Sequence, residues 1–350
     1  MNRIRFGIIG CGVISPWHAR AISDTEEAGL VACCDIIEER ARKLSEDFAV
    51  KEVYTDYHKL LARDDIDAVC VTTPSGLHGM VTIDAAKAGK HVMCEKPVEI
   101  TKAKIDEMIA ACKAADVKLG VIFQRRTSPL WHKVKNAIDS GCLGKMILGD
   151  AYLKYYRGQA YYDKDAWRGT WELDGGGALM NQGVHMVDVL QWMMGPVTSV
   201  YAQADHMVRD IEVEDTACAV LRFASGAMGI LEGTTSVTPG MDHRLEFHGE
   251  HGSILVDGET IKVWEVPGED ASQCGETGSG GVDVKIGTAE TAPTTSATQG
   301  HQGQIQDLCR AIREDREPMV NAETARKAVE IILAVYESSR TGQPVTLPLS

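Results

Sequence analysis

Glu95-Lys96-Pro97 directly follows an apolar run, His91–Cys94, and Lys96 is the member that could work on a proton. An ammonium group withdrawn from water, or set beside another positive charge, loses basicity and can hydrogen-bond a reacting hydroxyl. A second acid–base group lies in Gly175-Gly176-Gly177-Ala178-Leu179-Met180-Asn181-Gln182-Gly183-Val184-His185-Met186-Val187-Asp188. If a helix opens after the glycines, Asn181, His185 and Asp188 fall at i, i+4 and i+7 on one face. His185, with an ordinary pKa of ~6.5, then suits removal of a hydroxyl proton. Singly, a lysine and a helical histidine are ordinary surface or core residues, and nothing in their spacing alone brings the two together.

Gly10-Cys11-Gly12-Val13-Ile14-Ser15 follows a strand pattern and opens a helical one, and Asp35 stands twenty positions beyond Ser15 at the end of the next strand. Gly10 permits the tight turn, Gly12 lets a pyrophosphate approach the backbone, and the helix start supplies N–H groups. Ser15 stands where a third glycine is usual. The pattern predicts a bound dinucleotide, NAD more than NADP, because Asp35 accepts from both ribose hydroxyls and repels a 2′-phosphate by about 4 kcal/mol at ~4 Å and an effective dielectric of 20. The alternative for Asp35 is a solvated strand end softened by Arg40. Thr72-Thr73-Pro74-Ser75-Gly76-Leu77-His78 also sits at the carboxyl end of a strand, the edge where open α/β sheets bind ligands.

The elements that position these groups divide in two. Up to residue 123, β-branched runs (Ile4–Ile9, Leu30–Asp35, Ala68–Thr72, His91–Cys94, Lys118–Phe123) alternate with helical stretches such as 102–115, predicting a Rossmann, doubly wound parallel sheet. From 124 to 350, strand runs follow one another at 145–156, 197–208, 213–223, 227–236, 243–248, 252–257 and 261–266, with a helix at 177–194. That order predicts an α+β domain with a large open, mostly antiparallel sheet. Residues 268–300, rich in Gly, Ser, Thr and Ala, are expected to form a mobile loop, and helices at 301–315 and 321–341 to close the chain.

The 350 residues carry 36 basic and 50 acidic side chains, a formal charge of −14, which disfavours a nucleic-acid or membrane-surface partner. No apolar run approaches bilayer length, and the β pattern begins at once after Met1 with no leader-like segment, so a cytoplasmic protein is expected. The ten cysteines follow no zinc or redox spacing; Cys33, Cys70, Cys94 and Cys218 lie in strand-like runs and read as reduced core residues. His248 and His251 flank a turn, and no metal is expected.

In order and spacing, Gly10-Cys11-Gly12, Thr73-Pro74 with His78, Glu95-Lys96-Pro97, Trp167-Arg168-Gly169, the Gly175–Asp188 segment and the ending Gln343-Pro344-Val345-Thr346-Leu347-Pro348 resemble the glucose-fructose oxidoreductase/inositol dehydrogenase (Gfo/Idh/MocA) family along the whole chain. The resemblance implies an NAD-dependent oxidoreductase acting on a sugar, sugar derivative or cyclitol, with Lys96 and His185 as the acid–base pair. It also implies oligomerisation, as a homodimer or homotetramer, through the open sheet. Cofactor contacts are expected from Gly10, Gly12, Val13, Ile14, Asp35, Thr73, Pro74, Leu77, His78, Glu95, Lys96, Gln124, Trp167 and Arg168. Substrate contacts are expected from Lys96, Arg126, Tyr155, Arg157, Asn181, His185 and His301, the arginines suiting an anionic sugar. Asn181 departs from the aspartate that polyol-oxidising members often carry. A glycoside hydrolase using tightly bound NAD and transient oxidation is the alternative activity, and a non-catalytic NAD-binding regulator ranks last.

Overall fold

A computed structural model describes residues 3–268 and 295–349. The chain divides into two compact units, the first made of Met1–Ser128 and Ala292–Arg326, the second of Pro129–Thr291 and Lys327–Ser350.

The first unit alternates strand and helix: β1 (Ile4–Ile9), α1 (Ser15–Ser23), β2 (Ala28–Cys34), α2 (Glu38–Phe48), β3 (Glu52–Tyr54), α3 (Tyr57–Leu61), β4 (Ala68–Val71), α4 (His78–Lys87), β5 (His91–Cys94), α5 (Lys102–Ala114) and β6 (Leu119–Val121). The strands pair in parallel in the order β3-β2-β1-β4-β5-β6, the doubly wound arrangement the alternating runs predict. Central strands read as continuous apolar runs because both faces are covered; Val69, Cys70, Val71, Val92 and Cys94 have no exposed surface. Phe6, Ile8, Ile22, Met93 and Ile122 form the core on one side with Ile305 and Leu308 from a late helix. Order reverses between β1 and β4, so the loops after these strands diverge at the carboxyl edge of the sheet.

The second unit contains α6 (Pro129–Asp139), β7 (Met146–Lys154), α7 (Gln159–Asp163), α8 (Val184–Met194), β8 (Val197–Asp205), β9 (Thr216–Phe223), β10 (Met228–Thr234), β11 (His243–Gly249), β12 (Ser253–Asp257) and β13 (Thr260–Glu265). Helix α9 (Thr295–Glu314) belongs to the first unit, α10 (Ala322–Thr341) mostly to the second, and β14 (Val345–Thr346) ends the second sheet. The eight strands run β13-β12-β11-β7-β10-β9-β8-β14, antiparallel except for β7 with β10. Alternation along β9 and β10 buries Ala217, Ala219, Leu221 and Leu231 and turns Cys218, Val220, Met228 and Ile230 to the opposite face. Cys218 is therefore exposed, contrary to its reading as a core thiol: the period of two, not the apolar run, decides its side. Helix α9 begins six residues before the expected 301; most of the expected loop at 268–300 lies outside the described residues.

The expected helix at 177–194 is split. Residues Ala178–Gly183 form a π-helical turn before α8 starts at Val184. The reason lies in the anchoring of its entry: Glu214 accepts the backbone N–H groups of Gly177 at 2.9 Å and Leu179 at 2.8 Å. A Cβ at Gly177 would run into the Glu214 carbonyl, so only glycine admits this approach. Asn181 thus sits in the π turn and His185 in the first turn of α8, rather than one turn apart on a regular helix.

Candidate active site

At the end of β1, Gly10 has φ +97°, and a Cβ there would meet the Thr72 carbonyl oxygen at 2.6 Å. The glycine lets the loop pass against the end of β4. Asp35, almost fully buried, accepts the Cys11 N–H at 2.7 Å through Oδ2 and the Ile37 N–H at 2.8 Å through Oδ1, tying the loop to the end of β2. Ser15 is fully buried and its hydroxyl donates to the Gly12 carbonyl at 2.8 Å, so it closes the turn as well as fitting the space of a third glycine. Beyond Ile14, no side chain among the described residues caps α1 and no acid lies in its first turn, which leaves its positive end open to an anion.

These features fit a dinucleotide. A Cβ at Gly12 would meet nothing within 4 Å, leaving room for a phosphate against the backbone. Val13 is 67% exposed at the rim of the loop. Thr73 Oγ1 and Gln124 Oε1 are buried without a hydrogen-bond partner among the described residues, a costly state that a ligand's donors would relieve. With the cofactor bound, Gly12 and the start of α1 would hold the pyrophosphate and Asp35 the ribose hydroxyls.

The Glu-Lys-Pro motif follows β5 and is tied to the turn after β4. His78 Nδ1 lies 2.8 Å from the Pro97 carbonyl and Nε2 3.0 Å from that of Thr73, while Pro74 and Leu77 flank it half-buried. Lys96 is half-buried. Glu95 points inward: its Oε2 accepts the Lys96 N–H at 3.0 Å, and its Oε1 lies 2.8 Å from Nε2 of His18 on α1 and 3.5 Å from Nε2 of His301 on α9. Burial pushes the Glu95 carboxyl up, but the hydrogen bond from His18 and the nearby His301 imidazole outweigh it and hold the group well below the usual carboxylate range. Burial pushes His18 down, more than Glu95 raises it. Both directions describe an ionised carboxylate beside a neutral imidazole. Sequence reasoning passed over His18; its one signal was a histidine on the helix that opens at the glycine turn. His301, expected at substrate, is 2% exposed, with Trp17 and His18 packed on its ring. Arg126 is likewise buried.

In the second unit, the segment before α8 is a polar network. Asp174 accepts the Asn181 side-chain amide and, at 2.9 Å, the Gly169 N–H. Asn181 Oδ1 accepts from Gln182 Nε2 at 2.6 Å, and that nitrogen also lies 2.9 Å from the Tyr161 hydroxyl. Arg168 donates to the same hydroxyl, pairs with Asp165 at 3.3 Å, and lies over the rings of Tyr161 and Trp167. Arg157 lies over Tyr161 at 5.4 Å and Arg209 over Tyr156 at 5.3 Å, neither with an ion-pair partner among the described residues. Tyr155 is half-buried at the end of β7, and His185 is half-buried on α8. Asp174, Tyr161, Gln182 and Arg209 were not singled out in the sequence, where nothing but proximity to the glycine run marks the first and third.

A six-stranded sheet in this order, with a glycine loop, an uncapped helix and an acid at the second strand, defines a dinucleotide-binding Rossmann domain. The oxidoreductase-family model for an NAD-binding Rossmann fold matches residues 4–123, and the GFO/IDH/MocA C-terminal domain model matches residues 131–255. The chain belongs to the Gfo/Idh/MocA family. It is 35% identical over 261 residues to a myo-inositol 2-dehydrogenase of Thermotoga maritima, covering 73% of this chain and 75% of that one. It is 26% identical to the scyllo-inositol 2-dehydrogenase (NAD(+)) of Bacillus subtilis over 99% of this chain and 97% of that one. Among solved structures, the WlbA dehydrogenase of Bordetella pertussis, in complex with NADH and UDP-GlcNAcA, superposes with TM-score 0.87 at 34% identity over 100% of both chains.

Proposed function

We propose that this oxidoreductase transfers a hydride between NAD and a hydroxyl or keto carbon of a sugar derivative or cyclitol, with Lys96 and His185 as the acid–base pair. NAD, when bound, supplies the hydride acceptor. Lys96 hydrogen-bonds the reacting oxygen and His185 takes its proton as the hydride leaves the same carbon. The observation that carries this reading is the position of Lys96, one residue past Glu95 at the carboxyl edge of the sheet that also presents the glycine loop and Thr73. The inositol dehydrogenases support the polyol substrate class.

The substrate we favour is anionic. Arg157, Arg168 and Arg209 gather on Tyr156 and Tyr161 in a protein whose formal charge is −14, and guanidinium groups recognise carboxylate or phosphate. The WlbA complex with UDP-GlcNAcA points the same way. The open face of the second sheet, where Val220 pairs with Ile230 and Tyr201 on neighbouring strands, is the surface through which we propose the chain forms a homo-oligomer.

NADH absorbance during incubation with NAD and myo-inositol, scyllo-inositol or UDP-GlcNAcA tests the reading. Net NADH formation, fastest with the anionic compound, is expected. Glycoside cleavage without net NADH would replace it with the hydrolase.

A further inference from the structure

His18, Glu95 and His301 come from α1, the end of β5 and α9, yet one ligand atom from each lies within 4.8 Å of the others, and all three side chains are buried. No step of the proposed reaction uses them. Among the described residues the imidazole Nδ1 of His18 is buried without a partner, so its Nε2 carries the proton donated to Glu95 and the ring has no second acceptor there to support a charge. That bare Nδ1 also argues against a metal, because a ligating histidine normally donates its other N–H to an acceptor. A distance of 2.8 Å between His18 Nε2 and Glu95 Oε1 is that of a well-formed N–H···O hydrogen bond.

We propose that the Glu95 carboxylate, clamped by His18 and His301, is a positioning residue that acts through Lys96: it fixes the motif by accepting the Lys96 N–H and places a negative charge one residue from the ammonium. The role of Lys96 in hydride transfer rests on the reading above; the clamp does not. The groups facing the carboxylate are His18 from α1, His301 from α9, the thiols of Cys70 on β4 and Cys94 on β5, and the backbone N–H of Lys96. Burial, with the charge of Glu95 adding to it, pushes both thiols up, so they stay neutral and Glu95 is the anion of the cluster. A fixed buried anion favours the charged form of a neighbouring amine. Because His18 rides on α1, directly behind the glycine loop, the clamp also ties the Lys96 motif to the helix that would receive the pyrophosphate.

The test reads the Lys96 ammonium directly, by pH titration of reductively ¹³C-methylated protein with NAD bound, the Lys96 resonance assigned with Lys96→Arg. In Glu95→Gln, which keeps the shape and loses the charge, the Lys96 titration should move to lower pH by about half to one unit. His18→Gln, which can still donate to Glu95, should titrate like the wild type, and His18→Leu should move part of the way. If Glu95→Gln is not recovered folded, His18→Leu and His301→Leu carry the test in the same direction. Unchanged Lys96 titration in folded variants that bind NADH normally would reduce the cluster to packing and overturn the proposal. So would a stoichiometric metal found by emission spectrometry in the purified protein. Neither readout depends on turnover, so failure of the clamp and failure of the proposed reaction are told apart.

Discussion

The side-chain amide of Asn181 donates to the buried carboxylate of Asp174, and this pair governs what the π turn before α8 can tolerate. Asn181→Asp would set two carboxylates against each other. One of them must take up a proton or the turn must open. The variant should lose about 1–3 kcal/mol of stability at neutral pH and recover part of it as the pH falls toward 5. Thermal melts at several pH values check this, and an unchanged melting profile would contradict the pairing.

Glu214 gives a second pH signature. Burial pushes its carboxyl up to about 7, against the pull of the Gly177, Leu179 and Tyr336 donors. A folded-state pKa raised above the unfolded value means that the protonated form is favoured in the fold. Its contribution to stability is complete below the unfolded value near 4.5 and is lost as the pH rises through about 7. The wild type should therefore lose stability relative to Glu214→Gln between roughly pH 5 and 8. A difference between the two melts that does not change with pH would refute the assignment.

Asp35→Ser should weaken NAD binding and narrow its advantage over NADP, because the carboxylate that would face a 2′-phosphate also pins the Cys11 and Ile37 N–H groups. Titration of NADH and NADPH by fluorescence measures both effects. An unaltered ratio of affinities would remove Asp35 from cofactor selection.

Val220→Glu places a charge in the middle of the apolar row formed with Ile230 and Tyr201. Sedimentation should show an oligomer for the wild type and a monomer for the variant at micromolar concentration. A monomeric wild type would rule out the open sheet as an oligomer interface.

Much of the fold is legible in the sequence, for physical reasons that differ by element. The parallel strands read correctly because both faces are buried, so Ala68–Val71 and Val92–Cys94 are continuous apolar runs. The glycine loop and Asp35 stood out because a dinucleotide demands those residues at that spacing. The three-residue strand Glu52–Tyr54 was too short to show a period, and Cys218 was assigned by the apolarity of its run when its place in the alternation decides its face. The π turn could not be read at all, since it depends on Glu214, more than thirty residues away in sequence. The same holds for Glu95: its motif was visible, but its partners on α1 and α9 meet it only in three dimensions, which is also why His301 was expected at substrate.

The central claim is that Lys96 and His185 handle the proton of the hydroxyl whose carbon gives up its hydride. Steady-state kinetics and NADH titration of Lys96→Ala and His185→Ala, with the substrate identified from the panel above, test it most directly. Turnover should fall by about two to four decades in each variant while NADH affinity stays within a factor of about three, because groups on the reacting oxygen stabilise the transition state rather than the bound cofactor. Full turnover by His185→Ala across roughly pH 6 to 10, a range that begins just below the ordinary histidine pKa of ~6.5, would contradict the account and leave the base to be found elsewhere.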